Sequence, residues 1–344
     1  MPTRSGRLTQ RDIARLAQVS QTTVSMVLND RHLPSVRISQ ETRDRVLRVI
    51  NETGYVADPV ARRLLAQHNQ IFGVFTYERV FPSTSADFFH PFLVGIEESS
   101  EQLGCDLLLF TSAPTGQGRR IFHENNRLRL ADGCILLGRE IPADELARLN
   151  DEAHPYIAVG RRDDAHGPVP YVGAGYAEAT AELVERAHAL GHRELAYVGP
   201  GGGAESAVDR LRGFSSAGGR RHDDGRRPTA EILDFLLDTG VTAVFAEEHA
   251  AATALAETAE ARGMRVPAEL SVVALGDPMA DGSDREFTGF RIPRREMGAQ
   301  AVDILSALLR GEDTDIQRLL PCEVTDRGTL VPPEQPDQPN PRGR

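Results

Sequence analysis

Short polar side chains follow one another near the amino terminus, in a pattern that can recognise nucleic acid. Gln21, Thr22 and Ser25 come soon after Val19 and Ser20. Amide and hydroxyl groups of this length can form hydrogen bonds with base edges and with phosphate oxygens. The alternative is that they form only the solvated face of a small helical bundle.

The distribution of charge favours the first interpretation. The 344-residue chain carries a net charge of −11. Residues 1–69, however, hold eleven arginines and six acidic residues, a net charge of +5, so the remainder carries −16. A basic head on an acidic body indicates that the head meets phosphates, because the body repels them.

Other groups that could do chemistry do not form a catalytic or metal site. The glycine-rich run GPGGGAES, residues 199–206, lacks the lysine and hydroxyl spacing of a phosphate-binding loop. Adjacent Glu247 and Glu248 point apart on a strand or loop, which does not suit an acid/base pair. Metal-ligand spacing is also missing among His188, His192, His249, Cys105, Cys134 and Cys322. We therefore expect no enzyme activity, no cofactor and no metal, with surface or capping roles for the histidines.

Three short helices are predicted to position the polar side chains. The first begins after Thr9, which suits an N-cap, and its buried face is formed by Ile13, Leu16 and Ala17. The third is predicted over residues 39–53. Helices this short are stabilised mainly by packing against one another.

The second helix is predicted to follow a tight turn, with Ser20 as its cap. Its buried face consists of Val24, Val27 and Leu28. The side chains expected to be available to solvent are Gln21, Thr22, Ser25, Met26 and Asn29. This arrangement predicts a helix-turn-helix unit.

From Ile71 onward, short apolar runs alternate with amphipathic helical patterns. Strands are predicted to begin at Ile71, Cys105, Gly133, Tyr156, Glu194, Thr242 and Ser271. Helices are predicted over residues 92–103, 176–190, 250–262 and 296–309. The alternation predicts an α/β body of two lobes, each a doubly wound parallel sheet that binds ligands at the carboxyl ends of its strands.

The composition is that of a globular protein, with 40% hydrophobic and 26% charged residues. No apolar run reaches the length of a membrane helix, and residues 1–6 lack the apolar stretch of a secretion signal. We therefore expect a cytoplasmic protein with no membrane partner. The proline-rich residues 332–344 are expected to be disordered.

The amino-terminal residues closely resemble the head of the lactose/galactose repressor (LacI/GalR) family of transcription regulators. The resemblance rests on DIARLAQVSQTTVSMVLN and ISQETRDRVLRVINETGYVADPVARRL. It implies that Gln21, Thr22 and Met26 read bases in the major groove. Backbone-contacting, capping or supporting positions at the DNA are assigned to Thr9, Ser20, Thr23, Ser25 and Asn29.

Two features of the head depart from the family pattern. Met26 stands where an arginine is common, so an apolar contact replaces a guanine contact. The connection from Asp30 to Arg37 is longer than in the shortest members of the family. Arg31 and Arg37 are expected to contact phosphate there.

Residues 58–66, DPVARRLLA, can form a short helix. An ordinary linker helix is one interpretation. The resemblance implies instead a segment that folds on DNA and inserts Leu64 into the minor groove, with Ala61 beside it and Arg62 facing phosphate.

The body resembles the periplasmic-binding-protein-like sensor of the same family through phrases such as HALGHRELAYVG, DRLRGF, TAVFAEEHAA and SVVALGD. The resemblance assigns effector contacts to Arg212, Glu247, Glu248 and Asp277. The two glutamates replace an Asn-Asp pair, and Gly276 replaces an aspartate that usually holds sugar hydroxyls. Phe88 and Phe89 are expected either to pack in the core or to stack on the effector. Residues 213–228 look shortened and flexible, which implies an altered or lost pocket.

These features predict a helix-turn-helix DNA-binding domain over residues 1–57, a hinge helix or linker over 58–69, a two-lobed effector-binding and dimerisation domain over 70–331, and a tail over 332–344. We expect a homodimeric transcription regulator, a repressor, on a near-palindromic double-stranded DNA operator. A small-molecule effector, sugar-like or atypical, is expected to modulate it. The alternatives are a solute-binding protein, which the basic head opposes, and an α/β enzyme, which no residue set supports.

Overall fold

The computed structural model describes residues 8–28, 38–55, 69–78, 88–111, 119–123, 127–276 and 285–334. These residues fall into two compact units, one within Met1–Asn69 and the other within Gln70–Arg344. Each unit has its own buried apolar residues.

The first unit, the head, consists of helices α1 (Gln10–Leu16), α2 (Gln21–Leu28) and α3 (Gln40–Thr53). Thr9 caps α1 as predicted, and Asp12 completes a capping box by accepting hydrogen bonds from the Thr9 backbone N–H and hydroxyl at 3.0 and 2.7 Å. The Thr9 hydroxyl thereby lowers the pKa of the Asp12 carboxyl. Ser20 accepts a hydrogen bond from the Thr23 N–H at 3.1 Å, which confirms it as the cap of α2.

Two predicted positions on the head helices are wrong. Leu16 was expected to be buried but is 53% exposed, because α1 turns Ile13, Ala14 and Ala17 inward instead. Met26 was expected to be exposed but is only 8% exposed. Its long unbranched side chain can lie back along the protein surface, which a short serine or threonine side chain cannot do.

The second unit, the body, contains two six-stranded sheets. The strands are β1 (Ile71–Thr76), β2 (Asp106–Phe110), β3 (Gly133–Leu137), β4 (Tyr156–Val159), β5 (Tyr171–Ala174), β6 (Leu195–Val198), β7 (Arg221–Asp223), β8 (Ala243–Ala246), β9 (Ser271–Ala274), β10 (Thr288–Arg291), β11 (Gln317–Leu320) and β12 (Glu323–Thr325). The helices are α4 (His90–Gln102), α5 (Ala143–Asp151), α6 (Tyr176–Ala189), α7 (Glu205–Ser216), α8 (Thr229–Asp238), α9 (His249–Ala261) and α10 (Arg294–Leu309).

The sheet of lobe one has the order β11-β5-β4-β3-β1-β2, and all its neighbouring strands are parallel. The sheet of lobe two has the order β12-β10-β9-β8-β6-β7 and is parallel except for the β10–β12 pair. The central strands β3 and β8 are buried along their whole length, as expected for sheets covered on both faces. This architecture confirms the predicted fold class.

The chain passes between the lobes three times, after β5, after β10 and after β11. The two lobes are therefore joined by three crossovers. None of the helices in the described ranges is long and apolar enough to cross a membrane.

The stretch 213–228, interpreted above as flexible, contains an ordered strand. Strand β7 pairs in parallel with β6, and Asp223 at its end is 6% exposed. The Asp223 carboxylate accepts a hydrogen bond from the Gly225 N–H at 2.9 Å and pairs with Arg227. The expectation of flexibility is wrong because this carboxylate fixes the turn that follows the strand.

The carboxyl end of the body extends further than predicted. The Val331 carbonyl oxygen lies 2.7 Å from the Nε2 atom of His192, and the Val331 N–H donates to Ser271 Oγ at 3.1 Å. Glu334 forms an ion pair with Arg265. Residues 332–334 therefore belong with the body, and the rest of the predicted tail lies outside the described residues.

The surface role expected for His192 is also wrong, since His192 is 1% exposed.

Helices α4 and α10 cross closely at two glycines. A Cβ atom on Gly95 would lie 1.9 Å from the Arg295 carbonyl oxygen, and one on Gly298 would lie 2.2 Å from that of Phe92. Side-chain rotation cannot relieve overlap with backbone atoms, so even a methyl group must push the helices apart.

We predict that Gly95→Ala lowers the free energy of unfolding of the body by about 2 kcal/mol or more, as overpacking does in tight cores. Denaturant unfolding followed by circular dichroism measures this. Gly202→Ala is the control, because its Cβ atom would meet only the Pro200 oxygen, at 3.9 Å. Equal unfolding midpoints for the two variants would contradict the close crossing.

Candidate DNA interface and inter-lobe cleft

The polar side chains at the start of α2 form a connected group on the surface of the head. Gln21 and Thr22 are exposed, and Thr23 and Ser25 are half-buried. The Ser20 and Thr23 hydroxyls are 2.9 Å apart. The group lies at the amino end of α2, where free backbone N–H groups favour an anion such as phosphate.

Arg11 is a neighbour that the sequence did not single out. Its Nε–H donates a hydrogen bond to the Gln21 Oε1 atom at 3.4 Å, from α1 to α2. This contact leaves the Gln21 side-chain amide nitrogen available as a donor. It also brings a positive charge next to the proposed base reader.

Several predicted site residues lie outside the described residues, so their roles stay predictions. They are Asn29, Arg31, Arg37, Ala61, Arg62, Leu64 and Asp277. The predicted linker helix over residues 58–66 also lies outside the described residues and stays a prediction. Met26 is described, but its burial does not favour a contact with bases.

In the body, the carboxyl ends of β6 and β8 bring Glu247 and a glycine-rich loop together. The Glu247 carboxylate accepts hydrogen bonds from the Tyr197 hydroxyl at 2.6 Å and from the Gly201 N–H at 3.0 Å. Burial and this carboxylate both raise the pKa of Tyr197. Glu247 is thus held by its own lobe.

Glu248 faces the other lobe. Its carboxylate lies 3.7 Å from the guanidinium of Arg139, which follows β3, and its side chain is 64% exposed. A Cβ atom on Gly203 would come within 2.7 Å of Glu140. The loops after β3, β6 and β8 therefore line one cleft between the lobes, as expected for parallel strands.

The arginine that packs in this part of lobe two is Arg210 rather than the predicted Arg212. Arg212 has a side chain that is 58% exposed and pairs with Asp209 on the same helix at 3.0 Å. Arg210 is 8% exposed, and its guanidinium carbon lies 4.0 Å from the centre of the Tyr176 ring. It donates hydrogen bonds to the carbonyl oxygens of Leu275 at 2.6 Å and Ser206 at 3.0 Å.

Helical spacing could have identified Arg210 from the sequence. Ala207, Arg210 and Phe214 follow one another at intervals of three and four residues, which places them on one face of α7, and all three are buried. Arg212 lies on another face. A Cβ atom on Gly276 would lie 4.0 Å from the Arg210 Nη2 atom, so this glycine, which follows β9, lies beside the guanidinium.

The two phenylalanines expected to pack or to stack on a ligand differ from each other. Phe89 is 6% exposed and belongs to the main core of the body. Phe88 is half-buried, with its ring 5.0 Å from that of Phe89. The guanidinium groups of Arg139 and Arg294 lie 5.1 and 4.9 Å from the Phe88 ring centre. These contacts favour core packing for Phe89 and leave an effector contact for Phe88 as a prediction.

Sequence reasoning did not find two ion pairs that cross the cleft. Arg162 Nη1 lies 2.6 Å from Glu205 Oε2, and Arg161 Nε lies 2.7 Å from Asp209 Oδ2. The arginines follow β4 of lobe one, whereas the acids are on α7 of lobe two. The signal in the sequence is the run GRRDD directly after a predicted strand, where parallel sheets carry their functional loops.

Comparisons with known proteins agree with this architecture. Residues 9–58 match the family model described as bacterial regulatory proteins, lacI family, and residues 184–330 match that of the periplasmic binding protein-like domain. The HTH-type transcriptional regulator CelR of Thermobifida fusca is 29% identical over 92% of this chain and 96% of its own length. The HTH-type transcriptional repressor CytR of Escherichia coli K12 is 24% identical over 93% of this chain and 96% of its own length.

Solved structures show the same fold over most of the chain. A crystal structure of the lac repressor dimer bound to operator and the anti-inducer ONPF has a TM-score of 0.73 and 23% identity, and the match covers 94% of this chain and 99% of that one. A complex of the transcriptional regulator CelR with cellobiose has a TM-score of 0.59 and 25% identity, with 94% and 100% covered.

A capped helix-turn-helix head joined to a two-lobed, periplasmic-binding-protein-like body defines a class of DNA-binding transcription regulators rather than of enzymes. Within that class, residues 9–58 match the lacI family of bacterial regulatory proteins, and the chain is similar to the regulators CelR and CytR over more than nine tenths of its length.

The two neighbouring arginines of α7 provide a matched test of the cleft geometry. We predict that Arg210→Met lowers the free energy of unfolding by about 2 kcal/mol, because buried carbonyl groups lose their donors. Arg212→Met should change it by less than about 1 kcal/mol, since the Arg212 side chain is 58% exposed and Asp209 keeps its pair with Arg161. Chemical denaturation of both variants measures the difference. A larger loss for Arg212→Met would contradict the placement of these side chains.

Proposed function

We propose that this regulator is a repressor that binds a near-palindromic double-stranded DNA operator as a homodimer. The observation that carries the proposal is the polar group at the amino end of α2, where Gln21 and Thr22 are exposed on a capped helix. Gln21 supplies an amide that can form paired hydrogen bonds with adenine, and Thr22 supplies a short hydroxyl.

Positive charge in the head supports the same proposal. The net charge of +5 over residues 1–69 attracts phosphates, whereas the strongly acidic remainder repels them. Arg31, Arg37 and Arg62 are proposed as phosphate contacts. Leu64, with Ala61 beside it, is proposed to widen the minor groove between two half-sites.

We propose a separate role for each successive segment of the chain. Residues 1–57 bind DNA, residues 58–69 connect, and the body from residue 70 to residue 334 senses a ligand and dimerises. Two structures in the comparisons carry small molecules, cellobiose with CelR and ONPF with the lac repressor. We therefore propose a small polar, sugar-like effector in the inter-lobe cleft, near Glu248, Arg210 and Asp277.

The proposed effector acts through the equilibrium between lobe positions. A ligand can shift such an equilibrium only by binding one position more tightly than the other. Contacts with the cleft walls satisfy this requirement, because they differ between the closed and the open positions of the lobes. The effector thereby changes the separation of the two heads in the dimer.

Selection of bound sequences from a random DNA pool tests the proposal. We expect the full chain to enrich a site with two inverted half-sites. Gln21→Ala should weaken binding to that site by about tenfold to a hundredfold, the range for losing one good base contact. Binding to unrelated DNA should change little, because it depends on phosphate contacts.

Gln40→Ala is the matched control, since Gln40 is also an exposed glutamine at the first position of a helix, α3. It should bind the selected site as well as the unaltered chain does. Two outcomes would overturn the proposal: no enriched sequence, or equal effects of the two glutamine substitutions.

A further inference from the structure

Opposite charges face each other across the inter-lobe cleft. Lobe one contributes Arg139, Arg161 and Arg162 from the loops that follow β3 and β4. Lobe two contributes Glu205 and Asp209 from α7, together with Glu248 before α9. These three arginines of lobe one therefore face three carboxylates of lobe two.

The Arg162–Glu205 pair is one of two close, largely buried contacts between the lobes. The two side chains are 3% and 17% exposed, and their charged atoms are 2.6 Å apart. Arg162 also donates hydrogen bonds to the carbonyl oxygens of Gly138 at 2.6 Å and Arg139 at 3.3 Å, both in lobe one. The guanidinium is thus fixed to lobe one, and Glu205 is the group that arrives from lobe two.

The Arg161–Asp209 pair repeats this arrangement one residue earlier. Arg161 is 16% exposed and Asp209 is 3% exposed. Arg161 also pairs with Asp163 of its own lobe at 2.6 Å. Burial lowers the pKa of Arg161, but its hydrogen bonds to Asp209 and Asp163 raise the pKa by more, so the guanidinium stays charged.

Opening the cleft would separate these charges. Removing one partner of a buried ion pair leaves an unpaired charge in a poorly solvated place, which is strongly unfavourable. The arginines of both pairs follow the carboxyl end of β4, and three chain crossovers join the lobes. The pairs are positioned to oppose a hinge motion about those crossovers.

We propose that Arg161 and Arg162 are positioning residues that hold the two lobes closed with no effector bound, through Asp209 and Glu205. The chain's own charged groups thereby connect the two lobes and keep them closed, as a ligand bound to both lobes would. An effector that enters this cleft must separate the pairs or bind beside them. The regulator's resting state is the closed one.

The test is a distance measurement between the lobes of the full chain. Ala143 and Ala230 are exposed residues at the amino ends of α5 in lobe one and α8 in lobe two. Each is changed to cysteine and spin-labelled, in a background where Cys105 and Cys322 are serine. The labelled chain is diluted with unlabelled chain, so that each particle carries one labelled copy.

We expect one narrow distance distribution in this background. Adding Glu205→Gln and Asp209→Asn together should shift the distribution to longer distances by several ångströms and broaden it. Asp234→Asn is the control, because Asp234 pairs with Arg262 on the surface of lobe two and does not touch the cleft. Its distribution should match that of the background.

An unchanged distribution in the double variant, with a normal circular dichroism spectrum, would overturn the proposal. If the double variant does not fold, Arg161→Gln replaces it, since Asp209 then keeps its pair with Arg212. That variant should show a smaller shift in the same direction, and no shift would equally overturn the proposal. The measurement uses neither DNA nor effector, so its result does not depend on the proposed function.

Discussion

Parallel strand order is the constraint on which the rest of the body depends. Each sheet brings the carboxyl ends of its strands to one edge, and the loops that follow those strands, together with helix α7, carry the charged groups of the cleft. The central strands β3 and β8 are themselves buried along their whole length. Because the chain crosses between the lobes three times, the two edges are held facing each other. The ion pairs between Arg162 and Glu205 and between Arg161 and Asp209 are the consequence.

The head solves a different physical problem, which is to present polar groups on very short helices. Helices of seven and eight residues are marginal alone in water. The capping box at Thr9 and Asp12 and the cap at Ser20 satisfy backbone N–H groups that would otherwise lack partners. Burial of Ile13, Val24 and Val46 adds the packing that holds the three helices together. Because these capping and buried residues stabilise the head, the exposed side chains at the start of α2 are available for recognition.

Much of this structure could be predicted from the sequence, because it depends on local patterns. The caps of α1 and α2, the seven predicted strands and the parallel class of the sheets follow from spacing alone, and the structure contains them. Strand β7 was missed because three residues among glycines and arginines show no alternation. Its order depends on Asp223, whose hydrogen bonds come from the turn that follows it.

The errors at the cleft have a related cause. The DRLRGF motif alone does not distinguish Arg212 from Arg210, because burial on a helix depends on the face, and Arg210 shares the face of Phe214. The ion pairs across the cleft could not be predicted, since their partners are more than forty residues apart and meet only after both sheets form. Leu16 and Met26 show the same limit on a smaller scale, because the depth of burial on a two-turn helix depends on its neighbours.

The central claim is that DNA recognition resides in the head and that the acidic body contributes none by itself. The most direct measurement compares the full chain with a chain lacking residues 1–66 in binding to the same selected DNA site, over a range of salt concentrations. The account predicts specific, salt-sensitive binding for the full chain, and none for a truncated chain whose circular dichroism shows a folded body. Specific binding by the truncated chain would contradict it.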